Sequence, residues 1–446
     1  MHCPTVSIII PTYNGRLHLE ECFHSLSALD YPREQREIIV VDNGSSDDSV
    51  AYLTAQYPEA IIVQNEQNLG FAAACNMGAE RARSTYLAFL NNDTRVDPEW
   101  LQELTRSIET PTSGSENVVC VAGRIVGWDG QLLDYDGGIV NFHGHGHHLR
   151  AGQPVSAGAT DLQPTIFACA ASMLIQRNVF LDVGGFDTDY FAYFEDVDLG
   201  WRLWLFGYQV LYCPNAIVFH RGQGTVALAK AERKKLLERN GLFTIFKNYS
   251  SDVLERTLLP AMSLVAKKAA VDQDDSAAYL DAITEFVASL EELKGKRQAI
   301  QGRRKVGDSE ILPLFRQPFR PSMHDEGYWK LQCRLVTAYG LDTLFEKEWE
   351  VMHQHETIIE DLYKLQRDTA EAHNIQLAKA RQETETLRDR VRELEALVQA
   401  KDSQIQLYEQ LTQETLRRLD EYLNLENNRL FTRIGRRLFG RRDQRT

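Results

Sequence analysis

The ten residues from Val6 to Gly15, VSIIIPTYNG, decide how this chain reads. Val6 to Ile10 is a short β-branched run closed by Pro11, which predicts a buried parallel strand opening into a polar turn. Glu37 to Val41 (EIIVV) repeats the pattern and is closed by Asp42-Asn43-Gly44. Between the two, Leu17, Leu19, Cys22, Phe23, Leu26 and Leu29 recur at helical spacing, and another helix follows Ser49. The order is βαβα.

Working outward, Ala60 to Gln64 and Tyr86 to Leu90 add two strands, with a helix between them that begins near Gly70. The first hundred residues therefore predict an α/β open sheet with helices on both faces. Ligands of such sheets sit beyond the carboxyl ends of the strands. Four polar segments fall there: Pro11 to Gly15, Asp42 to Asp48, Asn65 to Gly70, and Asn91 to Asp93.

From Val118 to about His220 the pattern is mixed, with glycine-rich turns, a strand at Ser172 to Ile175 and an aromatic-acidic segment from Tyr190 to Trp204. This part is expected to receive an acceptor. Beyond Thr225 the composition shifts to Lys, Glu, Arg and Leu, and the reading is helical to about Tyr249, with a helical extension to about Tyr339. The expected units are 1–250, 251–339, 340–428 and 429–446.

From Ile359 to Tyr422 apolar residues follow alternating four- and three-residue steps, a coiled-coil repeat. Gln366, His373, Thr384, Lys401, Thr412 and Thr415 interrupt the seam, so either a modest homo-oligomer or an intramolecular helical hairpin is expected. The tail carries Arg429, Arg433, Arg436, Arg437, Arg441, Arg442 and Arg445 against Asp443, with Leu430, Phe431, Ile434, Leu438 and Phe439 interleaved. It reads either as a basic amphipathic helix for peripheral membrane contact or as a solvated end.

A chain of 446 residues exceeds one ordinary domain. Its 43% apolar and 25% charged residues are ordinary for a globular protein. The formal charge of −14 argues against a surface built for nucleic acid. Seven scattered cysteines without a CxxC pair suit reduced thiols. No run of about 18 apolar residues and no signal-like N-terminus is present, so a cytoplasmic location is expected, including the inner face of the membrane.

Three clusters can carry chemistry. Asn91-Asn92-Asp93 follows an apolar strand, where a carboxylate can hold a hard divalent ion; the same triplet is also a common turn. Glu195, Asp196 and Asp198 crowd beside Tyr190, Phe191, Tyr193, Trp201 and Trp204. Desolvation and mutual repulsion there raise a carboxyl pKa towards one useful in proton abstraction, although acids also simply favour a helix N-terminus. His220 ends the strand-like run Ala216 to Phe219 and could ligate metal. The histidine-rich turn His143, His145, His147, His148 alternates with glycine and reads as a loop.

Taken together, VSIIIPTYNG, the DNGSSDDS turn (Asp42 to Ser49), NLGFAAACNMG ending at Gly78, the NND triplet, and GGFDTDYFAYFEDVDLGWRLWLFGY (Gly184 to Tyr208) strongly resemble family 2 glycosyltransferases of the GT-A fold. The aromatic-acidic string looks most like the rhamnosyltransferase-type enzymes of bacterial surface polysaccharides. The resemblance covers about residues 4 to 250.

What the resemblance implies is a metal-dependent, inverting transfer from a nucleotide sugar, dTDP-rhamnose or a UDP-sugar, to a glycan or lipid-linked glycan. Pro11, Thr12, Tyr13, Asn14, Asp42, Gly44 and Ser45 match the segments that hold the nucleoside. Asn68 and Gly70 match the loop near the sugar. Asn91, Asn92 and Asp93 match the family's DxD motif, with Asn91 in place of the first acid, so Asp93 carries most of the binding of Mn2+ or Mg2+. His220 matches a histidine that completes the metal shell. Asp196 matches the general base, with Glu195 beside it, and Trp201 and Arg202 match the acceptor and diphosphate side. Two other classes stay open: a coiled-coil scaffold whose first domain only binds nucleotide or glycan, and a nucleotidyltransferase, for which no GxGTR-type loop follows the first strand.

Overall fold

Strand β1 (Val6–Thr12) is buried along its whole length and pairs in parallel with β2 (Arg36–Asp42) on one side and β4 (Tyr86–Leu90) on the other. β3 (Ile61–Gln64) extends the parallel edge beyond β2. Parallel neighbours need crossover connections, and α1 (Arg16–Ser27), α2 (Ser49–Gln56) and α3 (Phe71–Arg81) supply them. The β-branched runs fill the interior: Ile8, Ile9, Ile10, Ile39, Val40 and Val41 are fully buried.

The computed structural model describes residues 3–110, 117–222, 228–323 and 325–345, with residues 413, 414 and 417. Two units are present, Met1–Trp349 and Glu350–Thr446. Apart from positions 340–345, 413, 414 and 417, the expected coiled coil and the basic tail lie outside the described residues.

Register decides where the loops meet. Thr12 pairs with Asp42, and Asp42 with Gln64, so the parallel strands end level and strand order reverses between β1 and β4. A short strand β5 (Thr94–Val96) and helix α4 (Trp100–Glu109) follow the Asn91–Asp93 turn. The sheet is completed by β6 (Val118–Gly127), β7 (Leu133–Tyr135), β10 (Gln163–Pro164), β11 (Ser172–Gln176) and β12 (Gln209–His220), while β8 (Gly138–Val140) and β9 (Gly146–His148) form a separate hairpin. The order is β10-β12-β6-β11-β4-β1-β2-β3, with β5 on β12 and β7 on β6.

Helices α5 (Arg177–Asp182) and α6 (Glu195–Leu205) precede β12, and α7 (Lys230–Asn248), α8 (Ser251–Val271), α9 (Ser276–Ala288), α10 (Leu290–Arg303), α11 (Asp308–Ile311) and α12 (Glu326–Ala338) follow it. These later helices pack on the sheet domain within the unit Met1–Trp349. Trp201 of α6 is edge-on to Tyr249 and Phe315, with ring centroids 4.8 and 4.9 Å away.

The histidine-rich turn is the loop expected from its glycines at His143 and His145, whereas His147 and His148 lie on β9. It closes the β8–β9 hairpin and buries His143 and His145. His145 Nε2 lies 3.2 Å from Glu238 Oε2, and Lys268 Nζ donates to Glu238 Oε1 at 2.6 Å. Burial alone would raise the Glu238 pKa, yet Lys268 and His145 bring it down to about 2. An unpaired buried charge costs several kcal/mol, so this cluster ties α7 and α8 to the hairpin. Among the described residues no disulfide is present. Among the described residues no helix is long and apolar enough to cross a membrane.

Candidate active site

The turn after β1 is stitched to the turn after β2. The Asn14 N–H donates to Ser45 Oγ at 2.8 Å, and Asn14 Oδ1 accepts from the Ser46 N–H at 2.8 Å. Asn14 takes a positive φ of 49°, which asparagine tolerates better than most residues. Pro11 and Thr12 are buried at the strand end and Tyr13 is half-buried. Asp42 Oδ2 accepts from the Ser45 N–H at 3.2 Å, whereas Oδ1 is buried without a protein partner. A buried carboxylate oxygen left over in this way suits a donor from a ligand.

Asn43 was not singled out by the sequence reading, yet it holds the next loop in place. Its Nδ2 donates to Asn68 Oδ1 (2.8 Å) and Gly70 O (3.0 Å), and its Oδ1 accepts from Asn65 Nδ2 (3.0 Å) and the Leu69 N–H (3.1 Å). The glycines follow from close approach. At Gly44 (φ +80°) an added Cβ would lie 2.8 Å from the Gln67 backbone, and at Gly70 (φ +87°) it would lie 2.5 Å from Phe191 O.

The Asn91-Asn92-Asp93 turn is divided by function. Asn92 is buried, and its Nδ2 donates to Thr12 Oγ1 at 2.8 Å, fixing the turn against β1. Asn91 is half-buried and opens on the cavity described below. Asp93 is buried with neither carboxylate oxygen hydrogen-bonded.

The β5–β12 ladder brings His220 to Asp93 by pairing it with Thr94. Nε2 lies 3.3 Å from Asp93 Oδ1, and Nδ1 lies 2.7 Å from Asp134 Oδ2 on β7. Burial disfavours the charged imidazole, but Asp134 and Asp93 outweigh it and push the His220 pKa up to about 10. The two carboxylates thus form a locus that favours positive charge.

Those residues fit a divalent cation in a limited way. Among the described residues no three His, Cys, Asp or Glu side chains form a self-contained metal site. Asp93 offers two unsatisfied carboxylate oxygens, and His220 Nε2 a further position once a cation displaces its proton. Ions such as Mg2+ are commonly held by one or two protein groups with the rest of the shell from phosphate and water.

A cavity of about 830 Å³ opens beside this pair, lined among others by Asn91, Asp134, His148, Glu195, Asp196 and His220. The three acids of α6 have three different environments. Asp198 is fully buried and paired, to Arg202 Nε at 2.8 Å and Lys247 Nζ at 2.9 Å. Burial works to raise its pKa, but Lys247 and Arg202 hold it low. Glu195 is buried with Oε2 unpartnered, and burial followed by repulsion from Asp196 raises its pKa well above the usual range. Asp196 is half-buried. Burial raises its pKa too, while the Ala170 N–H, 3.3 Å from Oδ2, works the other way.

Two expected site residues are not there. Trp201 is fully buried against Tyr249 and Phe315, and Arg202 donates to Asp198, Val183 O and Gly185 O. Both turn away from the cavity because α6 buries the face they occupy. In their place Asp134, on a strand too short to stand out in the sequence, lines it together with His147 and His148 of the histidine-rich turn.

A family model, Glycosyl transferase family 2, matches residues 7–181. An uncharacterised protein of Mycobacterium tuberculosis is 31% identical over 254 residues, covering 54% of this chain and 75% of that protein. The O-antigen biosynthesis protein RfbC of Myxococcus xanthus is 30% identical over 232 residues, 49% of this chain but 17% of RfbC. Poly-beta-1,6-N-acetyl-D-glucosamine synthase of Staphylococcus aureus is 27% identical over 222 residues, 48% of each. The chain thus spans half or less of the two relatives named for an activity. With the family match and a relative covered over three quarters of its length, this α/β chain belongs to glycosyl transferase family 2.

Proposed function

We propose that this chain is an inverting glycosyltransferase that moves a sugar from a nucleotide donor to a glycan or lipid-linked glycan, within the synthesis of a bacterial surface polysaccharide. The observation that carries this reading is the shared cavity: an Asp196 carboxyl with a raised pKa lines the same 830 Å³ space as Asn91 and His220. RfbC, by its name an O-antigen biosynthesis protein, supports the polysaccharide context. The donor class we favour is dTDP-rhamnose or a UDP-sugar.

Asp42, whose Oδ1 is buried and free, accepts from the imide N–H of the base, with Pro11, Thr12, Tyr13, Asn14, Gly44 and Ser45 forming the pocket. Asn68 and Gly70 bound the sugar. Asp93 and His220 would hold Mn2+ or Mg2+, which when bound neutralises charge on the leaving diphosphate.

The ionised Asp196 takes the proton of an acceptor hydroxyl. The freed oxygen pair attacks the anomeric carbon, the bond from that carbon to the diphosphate oxygen breaks, and the nucleoside diphosphate leaves with the bonding pair. One displacement inverts the anomeric centre. Burial and repulsion from Asp196 raise the Glu195 pKa, so a second negative charge beside the base is disfavoured.

The units 1–250 and 251–339 serve as catalytic domain and support, with 340–428 as an associating segment and 429–446 as a basic membrane contact. Cysteines that form no disulfide among the described residues suit a reducing, cytoplasmic setting. The test is a panel of UDP-, GDP- and dTDP-sugars, each with and without Mn2+. Metal-dependent release of one nucleoside diphosphate supports the reading; no turnover with any donor despite nucleotide binding overturns it.

A further inference from the structure

Three of the five residues ahead of Glu195, namely Phe191, Tyr193 and Phe194, have strained backbone. Phe191 adopts φ 60°, ψ −61°, and the Ala192 N–H donates to Tyr190 O at 2.7 Å across it. This three-residue turn has the hand disfavoured for L-residues. Tyr193 (φ 72°) and Phe194 (φ 68°) are left-handed as well. Three such residues within four positions persist only where their surroundings impose them.

The surroundings that impose them lie on α7. Asn240 is fully buried. Its Nδ2 donates to Tyr190 O at 3.1 Å, Ala192 O at 2.9 Å and Tyr193 O at 2.7 Å. Its Oδ1 accepts from Arg239 Nε (3.1 Å) and Nη2 (3.0 Å), and Arg239 Nη2 also reaches Asp189 O at 2.8 Å. The carbonyl left over, Phe191 O, faces the opposite way and accepts from the Phe71 N–H at 2.6 Å at the start of α3, next to Gly70. The turn is therefore gripped between the sugar-side loop and a helix that carries no cavity-facing acid.

We infer that Asn240, assisted by Arg239, is a positioning residue for transfer: it holds the strained turn that aims Asp196 into the cavity. The inference rests on the reading of Asp196 as the base.

The test compares wild type, Asn240→Ala, Arg239→Ala and Asp196→Asn by hydrogen exchange of the segment 187–198 and by steady-state kinetics with the donor found in the panel. Asn240→Ala is expected to raise exchange in that segment while leaving β1–β4 protected. Because a misplacement near 1 Å costs about a hundredfold, kcat should fall about 10–100-fold, with donor KM within about twofold, as for an interaction made only in the transition state. A looser turn hydrates Asp196, so the acidic limb of kcat/KM moves to lower pH. Arg239→Ala should do the same more weakly, and it carries the test if Asn240→Ala does not fold.

Unchanged exchange, unchanged kcat in an active enzyme, or a loss of kcat matched by an equal loss of nucleotide affinity overturns the inference. An active wild type with an inactive Asp196→Asn and a normal Asn240→Ala defeats the inference alone; an inactive wild type defeats the proposed function with it.

Discussion

Nδ1 of His220 lies 2.7 Å from Oδ2 of Asp134. That contact fixes the ring so that Nε2 faces Asp93, 3.3 Å away. A carboxylate behind a ligating histidine orients it and raises its basicity, and its loss typically costs 10–100-fold in metal affinity. Asp134→Asn should therefore weaken Mn2+ binding by about 10–100-fold, read by titration of the free-ion resonance signal. Equal affinity in the variant would show that the carboxylate does not orient the ring.

As the proposed base, Asp196 must be ionised; burial raises its pKa, while the Ala170 N–H and the charge of His148 lower it. The sign follows: kcat/KM rises with pH through this raised pKa and levels off above it. The acidic limb should lie above the ordinary aspartate value of about 3.9. His148→Ala should move it higher still, since a group favouring the charged form is gone. A limb that moves down on this substitution would contradict the assignment.

Glu195 bears on stability. Its folded pKa is raised above the unfolded one, so the stability it contributes is full below the unfolded pKa, about 4.3, and is lost as pH rises through the folded value. Glu195→Gln should accordingly be more stable than wild type at pH 8, with the gap closing towards pH 4. Denaturant unfolding at several pH values checks this; a variant less stable than wild type at pH 8 would refute it.

Asn43 makes four hydrogen bonds that join two loops. Asn43→Ala strands several buried partners, each worth about 1–3 kcal/mol when left unsatisfied. Nucleotide affinity should fall by about tenfold or more, or 1.4 kcal/mol, because the loops beside Asp42 and Asn68 part. Calorimetry with UDP and dTDP decides it, and affinities equal to wild type would count against the loop arrangement.

The sheet was legible because its signals are local. β-branched runs such as Ile8 to Ile10 need no tertiary information to be read as buried strands, and each polar loop follows its strand directly. Asp93 and His220 at strand ends, and Asp196 at the start of α6, could be placed in the fold on similarly local signals. Asp134 was not legible, because a three-residue strand leaves no period to detect and its placement depends on the β6–β7 pairing; His148 stood out only as part of a glycine-rich turn, and the β8–β9 pairing decides its place. Trp201 and Arg202 misled because an aromatic and a cation beside an acidic motif look like site residues. Which helical face they occupy is decided by Tyr249 and Phe315, distant in sequence. Asn240 was silent for that reason too: its partners are backbone carbonyls, which carry no sequence signal.

The central claim is that Asp196 removes a proton from the acceptor during transfer from a nucleotide sugar. The most direct measurement compares wild type with Asp196→Asn for both nucleotide binding and nucleoside diphosphate release in the presence of Mn2+. The account predicts matched nucleotide affinity and a loss of turnover of about 10²–10⁴-fold in the variant. Turnover equal to wild type in Asp196→Asn would contradict it.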